Sequence, residues 1–159
     1  MGECRGRGRG GLAAAALLIS AAAAEAACAP DKVDIRTSGG AATFQVEVVD
    51  TPETRAQGLM FRESMALDAG MLFVYPEPAQ AAFWMNNTPL PLDIIFINAR
   101  GVICNIAADT TPYSLDHIPS QCAAQMVLEV NAGQAEAQGL KVGAPVRHPA
   151  VKAPVWACE

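Results

Sequence analysis

Apolar residues recur at every second position at Phe44, Val46 and Val48, with Gln45 and Glu47 between them, the period of a half-buried β-strand. The 27–42 stretch ahead of them is small and polar and reads as a loose lead-in. At Thr51 the period changes. Thr51 can cap, Pro52 suits a first helical position, Glu53 meets the positive end of the dipole, and Gly58 stops the helix after about two turns. Leu59, Met60 and Phe61 are then expected inside, with Arg62, Glu63 and Ser64 forming a polar corner. Strand patterns return at 71–75 and 81–86, divided by Pro76, Glu77 and Pro78, which predict a turn. Between Asp93 and Ile97 the alternation gives way to an apolar run, so this strand should be covered on both faces and lie near the centre of a sheet.

The 98–101 segment is a short turn, and the strand after it, 102–106, places Val102, Cys104 and Ile106 on one face and completes a hairpin. The 109–121 segment holds Pro112 and Pro119 and little periodicity. It reads as a long loop, and long loops in compact domains are often functional. Met126, Leu128 and Val130 alternate with Gln125 and Glu129, a helical turn at 134–138 stops at Gly139, and 142–151 offers a last strand interrupted at Pro145. Together these elements predict a mainly β, compact single domain over 43–151 with two short helices, a β-sandwich or small barrel, followed by a C-terminal tail at 152–159.

Composition adds most at the ends. Arg5, Arg7 and Arg9 precede an apolar, alanine-rich stretch at 12–24, and small residues surround 24–26, so residues 1–26 read as an export signal rather than as part of the fold. The stretch is too short and too weakly apolar for an ordinary membrane span. A rival lipoprotein reading would acylate Cys28 and tether the chain to a membrane, but Glu25 stands where such processing sites usually carry a larger apolar residue. The formal net charge is −5, and nucleic acid is a poor match for so acidic a chain. The expected location is periplasmic or extracellular.

Four of the five cysteines lie beyond the signal. An even number in an exported chain favours disulfides. Cys104 falls in a predicted strand and Cys122 at the mouth of the next, which favours joining them and leaves Cys28 and Cys158 to tie the termini. No pair has the two-residue spacing of a redox or zinc motif.

Five blocks carry a family resemblance: Arg55-Ala56-Gln57-Gly58-Leu59-Met60-Phe61-Arg62, Gly70-Met71-Leu72-Phe73, Phe83-Trp84-Met85-Asn86-Asn87-Thr88, Pro91-Leu92-Asp93-Ile94-Ile95-Phe96-Ile97 and Val127-Leu128-Glu129-Val130-Asn131-Ala132-Gly133. In order and spacing they resemble the DUF192 family, a domain of unknown function, over roughly 44–146. The resemblance implies a mostly β domain of jelly-roll-like topology and no particular reaction. The family pattern often has a lysine where this chain has Asn86.

The densest chemistry lies at 83–93, where Trp84, Asn86, Asn87 and Asp93 stand between apolar segments. Asp93 shares a strand face with Ile95 and Ile97, where an unpaired carboxylate is costly. Arg62 is the expected partner and Arg55 the second choice, because a guanidinium satisfies a carboxylate with two parallel bonds. A structural alternative has Asp93 accepting backbone amides from the turn at 87–88. As a site, Arg62, Trp84, Asn87 and Asp93 would hold a small polar ligand, a sugar or peptide, against an aromatic platform.

The expectation is therefore an exported binding module without cofactor or catalytic residue. One alternative is a hydrolase of an envelope polymer that pairs Asp93 with a second carboxylate such as Glu129. Another is a Cu(I) carrier using Met60, Met65, Met71, Met85 and Met126. His117 and His148 have no neighbour at ligand spacing, and His117 reads as a solvated loop residue.

Overall fold

The computed structural model describes residue 2 and residues 28–158, so the expected signal segment lies outside the described residues. Seven strands form one sheet: β1 (Lys32–Thr37), β2 (Gly40–Val49), β3 (Ala69–Phe83), β4 (Leu92–Asn98), β5 (Ile103–Ala107), β6 (Ile118–Asn131) and β7 (Val146–Arg147). Their spatial order is β5-β4-β6-β3-β2-β1-β7. Every pairing is antiparallel except β2 with β3. That parallel pair needs a crossover, and helix α1 (Pro52–Gln57) with the 58–68 loop supplies it. A second helix, α2 (Gln134–Ala137), follows β6.

The sheet curls until its two edges touch. Val102, just ahead of β5, bridges Pro145, just ahead of β7, and the Val146 N–H donates to the Gly101 carbonyl at 2.7 Å. Of the sandwich and barrel alternatives, the chain adopts the curled, half-barrel form. All seven strands send side chains into the hollow of the curl, among them Ile35, Phe44, Leu72, Ile95, Ile103, Leu128 and Val146. A second core lies on the opposite face of β3, β4 and β6, where Met71, Phe73, Ile94, Phe96 and Val127 are covered by Leu59, Met85 and Leu90 from the loops.

Several local expectations hold for local reasons. Thr51 caps α1 in a reciprocal box with Thr54, and Gly58 ends it at a φ of 49°. All of β4 except its last residue is buried, as its unbroken apolar run requires. The cysteines pair as Cys28–Cys158 and Cys104–Cys122. The first pair joins the two ends of the described fold and engages the sulfur that a lipoprotein would need. The second ties edge strand β5 to β6, with Cα atoms 6.3 Å apart. Two disulfides fit a protein that resides outside the reducing cytoplasm. Among the described residues no helix is long and apolar enough to cross a membrane.

Five expectations change, the first being Phe61, which is 72% exposed where it was expected inside. The lead-in contains β1, in which Val33 and Ile35 point into the core and Asp34 receives the Arg147 guanidinium at 2.9 Å. The Pro76–Pro78 region is no turn but part of a continuous β3. Its ladder with β2 ends at Phe73 and its register with β6 shifts between Val74 and Ala79, so the missing proline N–H groups fall where no ladder bond is required. Cys104 and Ile106 lie on opposite faces, because β4 and β5 slip register between Phe96 and Ile97. The long loop is shorter than expected, since β6 begins at Ile118.

Gly70 sits where β3 leaves no room for a side chain: a Cβ there would stand 2.6 Å from the Glu129 carbonyl oxygen. Gly70→Ala is expected to push β3 off β6 and cost about 2 kcal/mol. A urea denaturation midpoint equal to that of the parent would contradict this packing.

Candidate functional site

Three loops cover the outer core, and they are hydrogen-bonded to one another through the 83–93 segment. The Phe61 N–H donates to the Asn87 carbonyl at 2.8 Å, the Tyr113 N–H to the Thr88 carbonyl at 3.2 Å, and the Met85 N–H to the Ser114 carbonyl at 2.9 Å. Phe61, Asn87 and Tyr113 all have positive φ, the bend that each junction demands. Thr110 fastens the third loop to β4 by bonding both backbone groups of Leu92, and Asn131 donates to the carbonyls of Met65 and Ala66.

Asp93 belongs to this stitching. Its carboxylate is fully buried and accepts the Asp109 N–H at 2.9 Å and the Ala135 N–H at 2.8 Å. The second bond caps α2, whose N-cap residue Gly133 has no side chain to do so. Arg62 is not its partner: it forms a two-point ion pair with Glu47, 2.9 Å from Nη2 to Oε2, and that bonding holds the Glu47 carboxyl below its ordinary range. The expected Asp93–Arg62 pair is thus replaced by two backbone amides, and Arg55 is no substitute, because it donates to the carbonyls of Asp50 and Val74.

A cleft of about 220 Å³ opens instead between α1 and the outer face of β3. Arg55, Gly58, Leu59 and Met60 form one wall, Phe73, Tyr75 and Phe83 another, and Trp84, Asn86 and Thr88 the rim on the 83–93 side. Of the four expected ligand residues, only Trp84 lines it. Asn87 is exposed and directs its amide toward the Met60 sulfur at 4.0 Å, Arg62 is held by Glu47, and Asp93 is on the other side of the sheet. Phe83 is locked in place edge-on between Phe73 and Phe96, at centroid distances of 5.1 and 5.8 Å.

Sequence reasoning names Glu129 only as a second carboxylate for the hydrolase alternative and misses its burial at a cleft. Alternation along β6 pointed it toward solvent, yet that face is roofed by the loops and Glu129 is only 5 % exposed. It stands level with Met71 of β3 and Ile94 of β4, and its carboxyl lines the cleft without accepting a hydrogen bond from any described residue. Burial raises its pKa from the ordinary 4.5 to about 8. Beside it, burial also pushes the Tyr75 hydroxyl up, with Arg55 pulling it down and Glu129 adding to the rise. The available signal was a carboxylate set within the apolar run Val127-Leu128-Glu129-Val130.

This placement also sorts the alternatives. Glu129 pairs in register with Ile94, so its side chain shares Ile94's face, and Asp93, the next residue, faces the opposite way. The carboxylate pair of the hydrolase alternative is therefore split by the sheet. Of the methionines of the copper alternative, Met126 lies in the inner core, Met71, Met85 and Met65 pack in the outer one and Met60 lines the cleft. His148 is committed as well, its ring between the Pro30 carbonyl and the Ala150 N–H, both at 3.0 Å.

Comparison with known proteins agrees with the fold. The family model DUF192 (Uncharacterized ACR, COG1430) matches residues 33–148, and the chain belongs to this family. No curated protein matches. The chain is similar to a protein of unknown function from Novosphingobium aromaticivorans DSM 12444, with 38% identity, a TM-score of 0.71 and coverage of 72% of this chain and 82% of that one. It is equally similar to a putative transcription regulator from Sinorhizobium meliloti 1021, with 38% identity, a TM-score of 0.71 and coverage of 77% and 95%.

Two opposite mutational outcomes are expected. Asp93→Ala leaves two buried N–H groups unsatisfied and should cost about 3 kcal/mol, read as a lowered urea midpoint. Glu129→Gln should instead stabilise above neutral pH. With a folded pKa near 8 against 4.5 unfolded, the unfolded chain gives up its proton first. The contribution of Glu129 to stability is thus greatest below that lower value and falls by about 1.4 kcal/mol per pH unit up to the higher one. Denaturation curves of parent and Glu129→Gln should converge at low pH and separate, with the variant more stable, toward the alkaline side. A parent advantage that grows with pH would contradict it.

Proposed function

We propose that this protein is an exported, non-catalytic binding module whose small ligand enters the cleft between α1 and β3. One observation carries this reading: Glu129, only 5 % exposed, turns its carboxyl to the cleft and accepts no hydrogen bond from a described residue, so its oxygens are open on the cleft side alone. A fold that retains such a group incurs a desolvation cost that an apolar residue would avoid, and a bound donor offsets that cost. The walls suit the task, since aromatic and thioether groups with a few polar ones are the usual lining of small-ligand sites.

Chemistry is less well supported. The cleft holds one carboxylate and no histidine, cysteine or serine; of its two hydroxyls, Thr88 donates to the Asn86 carbonyl and Tyr75 stands beside Glu129, so neither a second carboxylate nor an activated nucleophile accompanies Glu129. The regulatory role named for the Sinorhizobium relative gains nothing from a chain of net charge −5 as a partner for nucleic acid. Export is supported by the N-terminal pattern and by the two disulfides.

Trp84 is 48% exposed at the rim, so its removal should spare the fold. In a thermal-shift and calorimetric screen of monosaccharides, dipeptides and free amino acids, at least one compound should bind, and Trp84→Ala should weaken it roughly tenfold with an unchanged melting temperature. Binding that ignores both Trp84→Ala and Glu129→Gln would place the ligand elsewhere.

A further inference from the structure

Two ionisable groups without an ionic partner face the same cleft. Glu129 lies at its floor, and Arg55 lines its α1 wall, with the guanidinium 4.8 Å from the Tyr75 ring centroid. Arg55 spends one nitrogen, Nη1, on the carbonyls of Asp50 and Val74. It pairs with no carboxylate among the described residues, Glu129 included. The guanidinium therefore keeps donors for an anion, held in a fixed orientation by its two carbonyl bonds and by Tyr75. Glu129 offers acceptors for a cation or donor, below aromatic faces that themselves attract cations. Between the two groups the lining is apolar and aromatic, Leu59, Met60, Phe73 and Phe83.

Resting on the binding reading above, we infer that the cleft takes a small zwitterion of amino-acid type, its ammonium on Glu129, its carboxylate on Arg55 and its apolar side chain against the aromatic wall. A purely cationic ligand would leave Arg55 unanswered and would place two positive charges in one cleft. A purely anionic ligand would leave the Glu129 acceptors empty. A zwitterion satisfies both and keeps the filled cleft near neutrality, which limits the cost of enclosing charge. Burial holds Glu129 protonated at neutral pH, so a ligand ammonium that meets the ionised form displaces that proton to solvent.

The test is calorimetry on the full chain with L-leucine, L-phenylalanine, their N-acetyl derivatives, their amides and glucose. The free amino acids should bind, and capping either end should weaken binding roughly 30-fold, the usual penalty for removing one partner of an enclosed charge pair. Glu129→Gln should restrict its loss to ligands with a free ammonium and Arg55→Ala to those with a free carboxylate. Binding at neutral pH should release a proton, seen as a heat that differs between buffers of different ionisation enthalpy. Equal or tighter binding of the N-acetyl derivatives, the amides or glucose, still sensitive to Trp84→Ala, would overturn the zwitterion assignment and leave the binding reading standing. No binding by any probe would overturn both.

Discussion

Two-sided burial of β3, β4 and β6 is the constraint from which the rest of this structure follows. A sheet curled around one core can leave its outer face to water, but here that face carries Met71, Phe73, Ile94, Phe96 and Val127. Something must cover it, and the chain uses loops rather than a second sheet. Loops bring unpaired backbone groups, so they must bond to one another and to strand ends. The Asn87, Thr88 and Ser114 carbonyls, the Thr110 hydroxyl and the Asp93 carboxylate meet that need. The cleft is where α1 and the 83–88 loop stop short of complete coverage, and Glu129 lies beneath the gap.

Asp93 and Glu129 show how one strand pair can give two carboxylates opposite fates. Asp93 faces the inner side, finds two amide donors and becomes a structural cap for α2 and the 108–110 loop. Glu129 faces the outer side, finds no donor, and is left for whatever enters the cleft. Neighbouring register positions separate a group that holds the fold from one that the fold merely tolerates.

Legibility in the sequence followed the range of the interactions. The Thr51, Pro52 and Gly58 signals bound α1 because capping involves residues within one turn. The 93–97 run announced two-sided burial because no other environment suits so many adjacent apolar residues. By contrast, the small and polar composition of 27–42 hides β1, in which Val33 and Ile35 alternate with Lys32, Asp34 and Arg36. The Pro76–Pro78 misreading has another cause: a proline is harmless in a strand whose partner has already ended, and where β2 ends is not local information. The partner of Asp93 and the exposure of Glu129 depend on loop placement across the sheet, which alternation along one strand cannot report. Trp84 was legible as a rim aromatic; the carboxyl it overlooks was not.

Glu129, 5 % exposed and without a hydrogen bond from any described residue, is the group on which the cleft depends. A pH titration of its side-chain carboxyl carbon by NMR, in ligand-free protein, tests this directly. A midpoint near 8 is expected, whereas a midpoint near the ordinary 4.5 would mean that the carboxyl is solvated or paired and would contradict its burial at the cleft.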